Sequence, residues 1–390
     1  MLLAKIIFWS SLFLIFYSLI GYPLSLIILD KVFKKKNNRV DISLRPNVSI
    51  IIPAHNEDKV IEKKLRNLIT LNYPMEKVEI IIASDNSTDQ TNEIVEKFIK
   101  ENKEYNIKLY KVNKRLGKTN AQNEAVKIAK GEILVFSDAN AILDKDSIIH
   151  LVSSFTSKDI IYVTGQLKYV NSLEHLSSQA ESTYWNYDLL MRRIESDIKT
   201  ITAGNGAIYA IRKDEYVDFD PIESHDSAMP IYAVLNNKRA VFNPRAIAYE
   251  KAGETTRDEF KRKVRMNRNI LKFLFGYLNI LNIFKYGWFS YFYFGHRILR
   301  YSLFILHILL FVFNIILIRE NFIYTFIFGI QSLFYLLAFI GHTFRFEHKL
   351  FYYPYYYTIT ILAQLIGAIN HLTGKTKPFW EKAETTRNVN

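Results

Sequence analysis

The segment Phe136-Ser137-Asp138-Ala139-Asn140 puts hard oxygen ligands directly after an apolar strand, and this limits the folds open to the chain. The preceding run, Glu132 to Phe136, is short and rich in β-forming residues, which is typical of a strand covered on both faces. A carboxylate at the end of such a strand lies at the carboxyl edge of an open α/β sheet, where ligands bind. Asp138 and Asn140 are therefore predicted to hold Mg2+ or Mn2+, with a diphosphate filling the other coordination positions. The alternative is that both side chains cap the next turn.

The central region of the chain alternates apolar runs with charged or amphipathic segments. The apolar runs are predicted as strands at 48–53, 78–83, 107–112, 132–136, 162–170 and 208–211, with one or two more strands within 239–249. The segments between them are predicted as helices at 59–71, 90–102, 119–129, 144–156, 178–198 and within 221–235. The strand–helix spacing in the first part of this region predicts a mostly parallel sheet with right-handed crossovers, and hence an α/β domain.

Long apolar segments lie near both ends of the chain. Residues 6–29 form an uncharged run long enough to span a bilayer. Lysines at 31, 34, 35 and 36 follow it, and the positive-inside rule then predicts that the next domain is cytoplasmic. Further runs of spanning length occur at 301–318, 322–340 and 350–372. Residues 257–275 are basic on one side and apolar on the other, as in helices of the membrane interface.

These patterns predict five regions. They are a transmembrane helix at 1–30, a cytoplasmic catalytic domain at 45–256, interfacial helices at 257–300, transmembrane helices at 301–373 and a polar tail at 374–390. Three C-terminal spans would put the tail outside the cell, whereas its basic residues favour the inside. Two explanations stay open: one apolar run is re-entrant or interfacial, or the run 280–294 also inserts. The side of the membrane on which the tail lies is therefore left open.

Composition excludes several other classes of protein. The chain has no cysteine, so disulfides, thiolate metal sites and a cysteine nucleophile are ruled out. The net charge of +13 is compatible with nucleic-acid binding. Much of the basic excess lies beside apolar segments, however, which favours anionic lipid headgroups. We therefore predict a lipid bilayer as partner and no nucleic acid.

Taken together, these residues resemble membrane-anchored family 2 glycosyltransferases with the GT-A fold, the group that includes cellulose, chitin and hyaluronan synthases and bacterial capsule enzymes. The motifs that carry the resemblance are Ser49-Ile50-Ile51-Ile52-Pro53-Ala54-His55-Asn56-Glu57, Ser84-Asp85-Asn86-Ser87-Thr88-Asp89, Arg115-Leu116-Gly117-Lys118, Asp138-Ala139-Asn140, Ala203-Gly204-Asn205-Gly206 and Glu223-Ser224-His225-Asp226. Their order and spacing, rather than any one of them, make the resemblance specific. It covers the whole soluble part, from Val48 to about Arg268, and loosely the membrane segments as well.

The resemblance implies a role for each motif. It implies that the nucleotide sugar is bound by Pro53, His55, Glu57, Asp85, Lys118, Asp138 and Arg268. It implies that Gly204, Asn205, Gly206 and Glu223 lie on the acceptor side. The metal ligands would be Asp138 and Asn140, and the catalytic base would be Asp226. For three of these residues a structural alternative stays open. Lys118 and Glu57 are also suited to a helix start, and Asp226 is suited to a helix cap.

Sugar transfer from a nucleotide diphosphate explains why these residue types are needed. The leaving diphosphate requires positive charge, which a metal ion, Lys118 and Arg268 would supply. The acceptor hydroxyl requires a base. An aspartate is a weak base, so burial or a neighbouring carboxylate such as Glu223 would have to raise the pKa of Asp226.

Two departures from the family pattern bear on the product. The metal motif ends in Asn140 rather than aspartate. Where processive members have Gln-x-x-Arg-Trp, this chain has Arg265-Met266-Asn267-Arg268-Asn269, so a tryptophan that would stack on an acceptor sugar is absent.

The resulting hypothesis is a multi-pass plasma-membrane enzyme, a metal-dependent inverting hexosyltransferase. It would transfer sugar from a nucleotide-sugar donor, with a UDP-sugar favoured, to a polysaccharide or a lipid-linked acceptor. The alternatives are a single-addition enzyme acting on polyprenyl phosphate, which the missing tryptophan favours, and a non-catalytic nucleotide-binding membrane protein.

Overall fold

The computed structural model divides the chain into two compact units and describes residues 1–33, 39–171, 176–344, 346, 348–379 and 386–387. Unit 1 consists of Met1–Val32, Leu173–Tyr184 and Gly253–Thr376, and unit 2 of Phe33–Ser172, Trp185–Ala252 and Lys377–Asn390. The lysines at 34, 35 and 36, which carry the prediction of orientation, lie outside the described residues, as does Lys382 in the tail.

Unit 2 is built on an eight-stranded sheet with the strand order β3-β2-β1-β4-β7-β6-β8-β5. The strands are β1 (Val48–Ala54), β2 (Val78–Ser84), β3 (Ile107–Lys111), β4 (Ile133–Ser137), β5 (Ile142–Leu143), β6 (Ile160–Tyr169), β7 (Ile208–Arg212) and β8 (Arg239–Glu250). Strands β1, β2 and β4 are buried along their whole length, as their continuous apolar runs predict.

The sheet is mixed rather than uniformly parallel. The pairs β1–β2, β1–β4, β2–β3 and β6–β8 are parallel, whereas β4–β7, β6–β7 and β5–β8 are antiparallel. The expected mostly parallel sheet is therefore found in its first half, and β7 is inserted between β4 and β6 with the opposite direction. As a result, the start of β7 lies beside the end of β4, where Ser137 pairs with Ile208.

The helices follow the predicted pattern, with shorter bounds in several places. They are α1 (Leu2–Phe16), α2 (Tyr22–Val32), α3 (Ile61–Ile69), α4 (Thr91–Glu101), α5 (Lys118–Val126), α6 (Ser147–Val152), α7 (Leu176–Ile198), α8 (His225–Leu235), α9 (Thr256–Met266), α10 (Ile270–Phe275), α11 (Ile283–Tyr286), α12 (Trp288–Phe292), α13 (Leu303–Leu317), α14 (Phe322–Phe344) and α15 (Lys349–Leu372). In unit 2, the buried alanines of α5 and the buried face of α8 pack in one apolar core with Ile51, Phe136 and Tyr209 of the sheet.

Residues 257–275, predicted as one basic helix, form two helices in the structure. Helix α9 ends at Met266 and α10 begins at Ile270. The side chain of Asn267 donates a hydrogen bond to the carbonyl of Lys263 (2.8 Å), and this local bond competes with continuation of the helix.

Unit 1 contains the segments that are candidates for crossing a membrane. Two stretches are long and apolar enough by length and composition, Leu2–Val32 and Phe322–Phe344. A third results if Trp288–Leu299 and Leu303–Leu317, which are bent by 60° relative to each other, form one span. The predicted run 350–372 is helical as α15, but α15 is not among these candidates, since its first half is rich in tyrosine.

Within unit 1, a buried cluster of charged groups ties the start of α7 to α9 and α15. The carboxylate of Glu181, at the start of α7, accepts hydrogen bonds from Arg262 and from Lys263 (3.2 Å to Nζ) on α9 and from the hydroxyl of Tyr356 on α15. Burial by itself would raise the pKa of Glu181, but Arg262 and Lys263 outweigh burial and hold that pKa well below its usual range.

We expect Glu181→Gln to lower the free energy of unfolding by about 1.5–3 kcal/mol at pH 7, because it takes one of two carboxylates from the buried Lys263 and the half-buried Arg262, which then keep Glu259. The folded-state pKa of Glu181 lies below the unfolded value, so its contribution is complete above roughly pH 5 and is lost as the pH falls. Thermal unfolding in detergent between pH 4 and 8 measures both effects, with the exposed Glu104→Gln as control. Equal unfolding temperatures for the two variants would contradict this account.

Candidate active site

The loops that follow β1 and β2 are hydrogen-bonded to each other at the carboxyl edge of the sheet. The side-chain oxygen of Asn56 accepts the backbone N–H of Thr88 (2.8 Å), and the backbone N–H of Asn56 is bonded to the hydroxyl of Ser87 (3.2 Å). Pro53 pairs with Ala83 near the ends of these strands, and Nδ1 of His55 donates to the carbonyl of Asp85 (2.8 Å). The two predicted nucleotide loops thus form one continuous surface.

Asp85 anchors the basic loop that precedes α5. Its buried carboxylate accepts the backbone N–H groups of Leu116 (3.1 Å) and Gly117 (2.8 Å). Gly117 has a φ of 93°, which L side chains rarely adopt, and it lets the chain turn sharply into α5. Each carboxylate oxygen of Asp85 has two lone pairs and uses one of them in these bonds. The two bonds fix the backbone directly before Lys118, the next residue along.

Lys118, Asp138 and Gly206 come together from three different elements. The ammonium of Lys118, the first residue of α5, donates hydrogen bonds to the carboxylate of Asp138 after β4 and to the carbonyl of Gly206 before β7 (3.1 Å). The side chain of Asp138 is 32% exposed, so it is open to a ligand. Asn140 follows in a turn that is closed by the N–H of Ala141 on the carbonyl of Asp138 (3.2 Å).

The Gly204-Asn205-Gly206 turn is held rigidly from inside the protein. The amide nitrogen of Asn205 donates to Thr164 (3.2 Å) and to the carbonyl of Gly165 (2.5 Å), and its oxygen accepts the backbone N–H groups that follow the turn. All four hydrogen-bonding positions of this amide are therefore used by the fold. Asn205, predicted on the acceptor side, acts on the shape of the turn rather than offering a free amide.

Asp226 lies in the first turn of α8, beside the glycine turn. Its backbone carbonyl accepts the N–H of Gly204 (2.7 Å). The preceding loop is held against α5, where the hydroxyl of Thr119 donates to the carbonyl of Glu223 (2.5 Å). Burial is the largest cause that raises the pKa of the Tyr209 hydroxyl. The negative charges of Asp226 and Asp138 raise this pKa as well. Both aspartates are therefore within electrostatic range of one buried tyrosine.

His225 is a core residue. Its ring stacks on Tyr216 (5.0 Å between ring centroids) and Phe136 (6.0 Å), and burial lowers its pKa to about 3. The imidazole is consequently neutral near pH 7.

Comparison with known proteins identifies the domain that carries this arrangement. Residues 49–217 match the family described as "Glycosyl transferase family 2". The match is to a domain of this family at residues 49–217, which is less than half of the chain. The matched residues include every predicted site residue from Pro53 to Gly206, while Glu223, Asp226 and Arg268 lie beyond them.

The glycosyltransferase domain is similar to several curated bacterial proteins. "Probable glycosyltransferase YdaM" of Bacillus subtilis is 27% identical over 59% of this chain and 57% of that protein. "Poly-beta-1,6-N-acetyl-D-glucosamine synthase" of Staphylococcus epidermidis is 28% identical over 56% of this chain and 53% of that protein. "Beta-monoglucosyldiacylglycerol synthase" of Nostoc sp. is 29% identical over 41% of this chain and 35% of that protein. The matches therefore span between about a third and somewhat over half of these relatives.

A solved structure shares the fold over nearly the whole chain. It is "Mannosyltransferase PcManGT from Pyrobaculum calidifontis in complex with GDP-Man and Mn2+", with a TM-score of 0.73, 18% identity and coverage of 95% of this chain and 99% of the other. The predicted GT-A fold is confirmed by this likeness, and the predicted family resemblance by the family match.

The glycosyltransferase domain also contains a contact that sequence reasoning missed. The guanidinium of Arg387, near the end of the chain, donates two hydrogen bonds to the carboxylate of Glu57 (2.6 and 2.9 Å). Phe379 lies 4.6 Å below the guanidinium of Arg115 in the basic loop. Residues of the predicted polar tail thus pack on the loop after β1 and on the basic loop. No local pattern links Glu57 to a residue 330 positions away.

Arg268, predicted as a phosphate ligand, belongs to unit 1 and lies between α9 and α10. Its backbone carbonyl accepts a hydrogen bond from Nδ1 of His371 (3.3 Å). Its role toward the donor stays a prediction.

We expect Gly206→Ala and Gly204→Ala to have different effects. A Cβ at Gly206 would lie 2.8 Å from Nζ of Lys118, a flexible group that moves aside. Because this displaces a predicted ligand of the donor, we expect the KM for the donor to rise about three- to tenfold. The unfolding temperature should not change. A Cβ at Gly204 would collide with the buried hydroxyl of Tyr162, so the fold loses about 1–3 kcal/mol. Donor kinetics and thermal unfolding of both variants test this contrast. Equal losses of stability in the two would contradict it.

Proposed function

We propose that this protein is a membrane-integrated inverting glycosyltransferase. It would transfer a sugar from a nucleotide diphosphate donor, with a UDP-sugar as the first candidate, to a polysaccharide or lipid-linked acceptor. The observation that carries this proposal is the meeting of Lys118, Asp138 and the Gly206 carbonyl beside the turn that is bonded to Asp226. A cation site and a base are the two groups that the reaction needs in one crevice.

The donor set fits a divalent cation that shares its coordination with a diphosphate. A carboxylate at Asp138 and an amide oxygen at Asn140 are hard ligands of the kind that Mg2+ and Mn2+ prefer. Among the residues that the structure describes, no three His, Asp or Glu side chains come together as a complete cage, so phosphate oxygens would supply the remaining ligands. The ammonium that is bound between Asp138 and Gly206 is evidence that these oxygens attract positive charge. The fold relative was solved with GDP-Man and Mn2+.

When it is bound, such an ion would act as a Lewis acid for the leaving diphosphate. Lys118 would add a second positive charge, and the loops around His55 and Asp85 would hold the nucleoside. Asp226 would take the proton of the acceptor hydroxyl. The acceptor oxygen would then form a bond to the anomeric carbon as the bond to the diphosphate oxygen breaks, and the nucleoside diphosphate would leave. One displacement of this kind inverts the configuration at the anomeric carbon.

Membrane integration is supported by the candidate spans of unit 1. Relatives whose names describe a glycolipid synthase and a polysaccharide synthase support an acceptor that is lipid-linked or polymeric. We propose a multi-pass location in the plasma membrane with the catalytic domain in the cytoplasm, where nucleotide sugars are available. A cysteine introduced at exposed Lys103, in a chain that has no native cysteine, would test the orientation. Labelling by an impermeant thiol reagent in spheroplasts would contradict a cytoplasmic domain.

The donor and acceptor are tested together in isolated membranes. A panel of UDP- and GDP-sugars is incubated with and without Mn2+, and the release of nucleoside diphosphate is measured. We expect one donor to turn over only with metal. Extraction of the labelled product into organic solvent indicates a lipid acceptor, whereas retention in the aqueous polymer fraction indicates a polysaccharide. Binding of nucleotide sugars without turnover would favour the non-catalytic alternative.

A further inference from the structure

A lysine lies completely buried beneath the segment that carries Asp138 and Asn140. Lys64, on α3, has no exposed surface. Its ammonium donates hydrogen bonds to the hydroxyl of Ser137 (2.7 Å) and to the carbonyl of Ala141 (2.5 Å). These two residues flank the Asp138–Asn140 segment on either side, so one side chain holds both ends of it.

The same helix makes a second attachment one turn further on. The side chain of Asn67 donates to the carbonyl of Leu143 (2.9 Å) and accepts the N–H of the same residue (2.8 Å). Leu143 belongs to β5, which follows the predicted metal-binding segment directly. Lys64 and Asn67 are three residues apart and therefore lie on the same face of α3.

Lys64 is also linked to the glycine turn. The hydroxyl of Ser137, which accepts a hydrogen bond from Lys64, donates its own proton to the carbonyl of Ala207 (2.7 Å). Ala207 follows Gly206, whose carbonyl holds Lys118. A continuous chain of hydrogen bonds thus runs from Lys64 through Ser137 to the turn beside Asp226.

Burying an ammonium is expensive, and an apolar side chain of the same length would fill the space at lower cost. Burial lowers the pKa of Lys64 to about 7, while the charges of Asp138 and Glu250 act in the opposite direction. Stability alone therefore does not explain a lysine here. A buried ammonium that is hydrogen-bonded to both ends of one loop is suited to fixing that loop before a ligand arrives.

We propose that Lys64 is a positioning residue for the donor site. Its ammonium would hold the Asp138–Asn140 segment and, through Ser137, the Gly204–Gly206 turn in the geometry that receives the cation and the diphosphate. The part of this inference that concerns the cation rests on the proposed function. The part that concerns the loop does not.

The test compares Lys64→Met with Lys63→Met in the full-length protein. Methionine has nearly the length of lysine and makes no hydrogen bonds, and Lys63 is the exposed neighbour on the same helix. Amide hydrogen exchange of peptides covering 137–143 is measured without metal or nucleotide. We expect exchange in this segment to be at least about tenfold faster in Lys64→Met, with β2 and α4 unchanged. The unfolding temperature should change by only a few degrees, since the loss of two hydrogen bonds to Ser137 and Ala141 is partly offset by removal of a buried charge.

A second readout follows Mn2+ itself. Binding of Mn2+ in the presence of UDP, measured by electron paramagnetic resonance, should be about tenfold weaker in Lys64→Met and unchanged in Lys63→Met. Unchanged exchange at 137–143, or a uniform acceleration over the whole domain, would overturn the inference. If Lys64→Met does not fold, Ser137→Ala removes the shared hydroxyl and should accelerate exchange in the same segment. If the wild type binds neither Mn2+ nor UDP, the proposed function fails, and the exchange experiment still decides the role of Lys64.

Discussion

Asp138→Asn is expected to reduce sugar transfer by roughly a thousandfold or more, because it removes the one carboxylate of the predicted cation site. A Lewis acid on the leaving diphosphate contributes several kcal/mol of transition-state stabilisation. Asparagine keeps the size of the side chain, so we expect the fold and the contact with Lys118 to be largely retained. Initial rates over a range of Mn2+ concentrations, together with thermal unfolding, measure the effect.

Asn140→Asp is the matched control for Asp138→Asn. It adds a carboxylate to the same segment, and we expect it to lower the Mn2+ concentration needed for half-maximal rate while activity is retained. If Asp138→Asn kept more than about a tenth of the activity at saturating Mn2+, the metal would have to be held elsewhere.

Asp226→Asn is expected to lower kcat by about a factor of a hundred to ten thousand, the range attributed to general base catalysis. The amide cannot take a proton from the acceptor hydroxyl, whereas the donor is held by other groups, so the Kd for the nucleotide sugar should change less than threefold. The backbone bond from Gly204 to the carbonyl of residue 226 does not depend on the side chain. Donor binding and single-turnover transfer, measured on the same preparation, separate these two effects.

Glu223→Gln serves as the control for Asp226→Asn, since it removes a neighbouring carboxylate in the same loop. If Glu223 only supports the loop through its backbone carbonyl, the variant should retain activity within about tenfold. A loss as large as that of Asp226→Asn would point to Glu223 as the base.

The strands of the first half of the sheet were predictable because they are buried on both faces. Their apolar runs exclude other structures, and the observed bounds of β1, β2 and β4 differ from the predicted ones by only a residue or so. Strand β5 was not predicted, because it has two residues and forms only through its pairing with β8. The direction of β7 also depends on tertiary pairing with β4 and β6, which no local pattern encodes.

The site was predictable as far as residues that follow strands are concerned. Asp138 could be expected at the edge of the sheet because it directly follows a buried strand. Its contact with Lys118 depends on tertiary structure, since Lys118 begins a helix after β3, three strands away from β4. Lys64 was missed, although a signal existed. It lies on the face of α3 that Ile61, Leu65 and Leu68 define, and a lysine on an apolar helical face indicates a buried charge with a partner. The contact of Arg387 with Glu57 had no such signal, because it depends on how the end of the chain packs.

The measurement that tests the central claim most directly is the stoichiometry of transfer in membranes that contain the protein. A donor labelled in the sugar is supplied with Mn2+, and the nucleoside diphosphate released is compared with the label incorporated into lipid or polymer. The account predicts one nucleoside diphosphate released per sugar incorporated, with both signals abolished in Asp226→Asn. Tight donor binding with no incorporation, in the wild type and in Asp226→Asn alike, would contradict it and leave a nucleotide-binding protein without transferase activity.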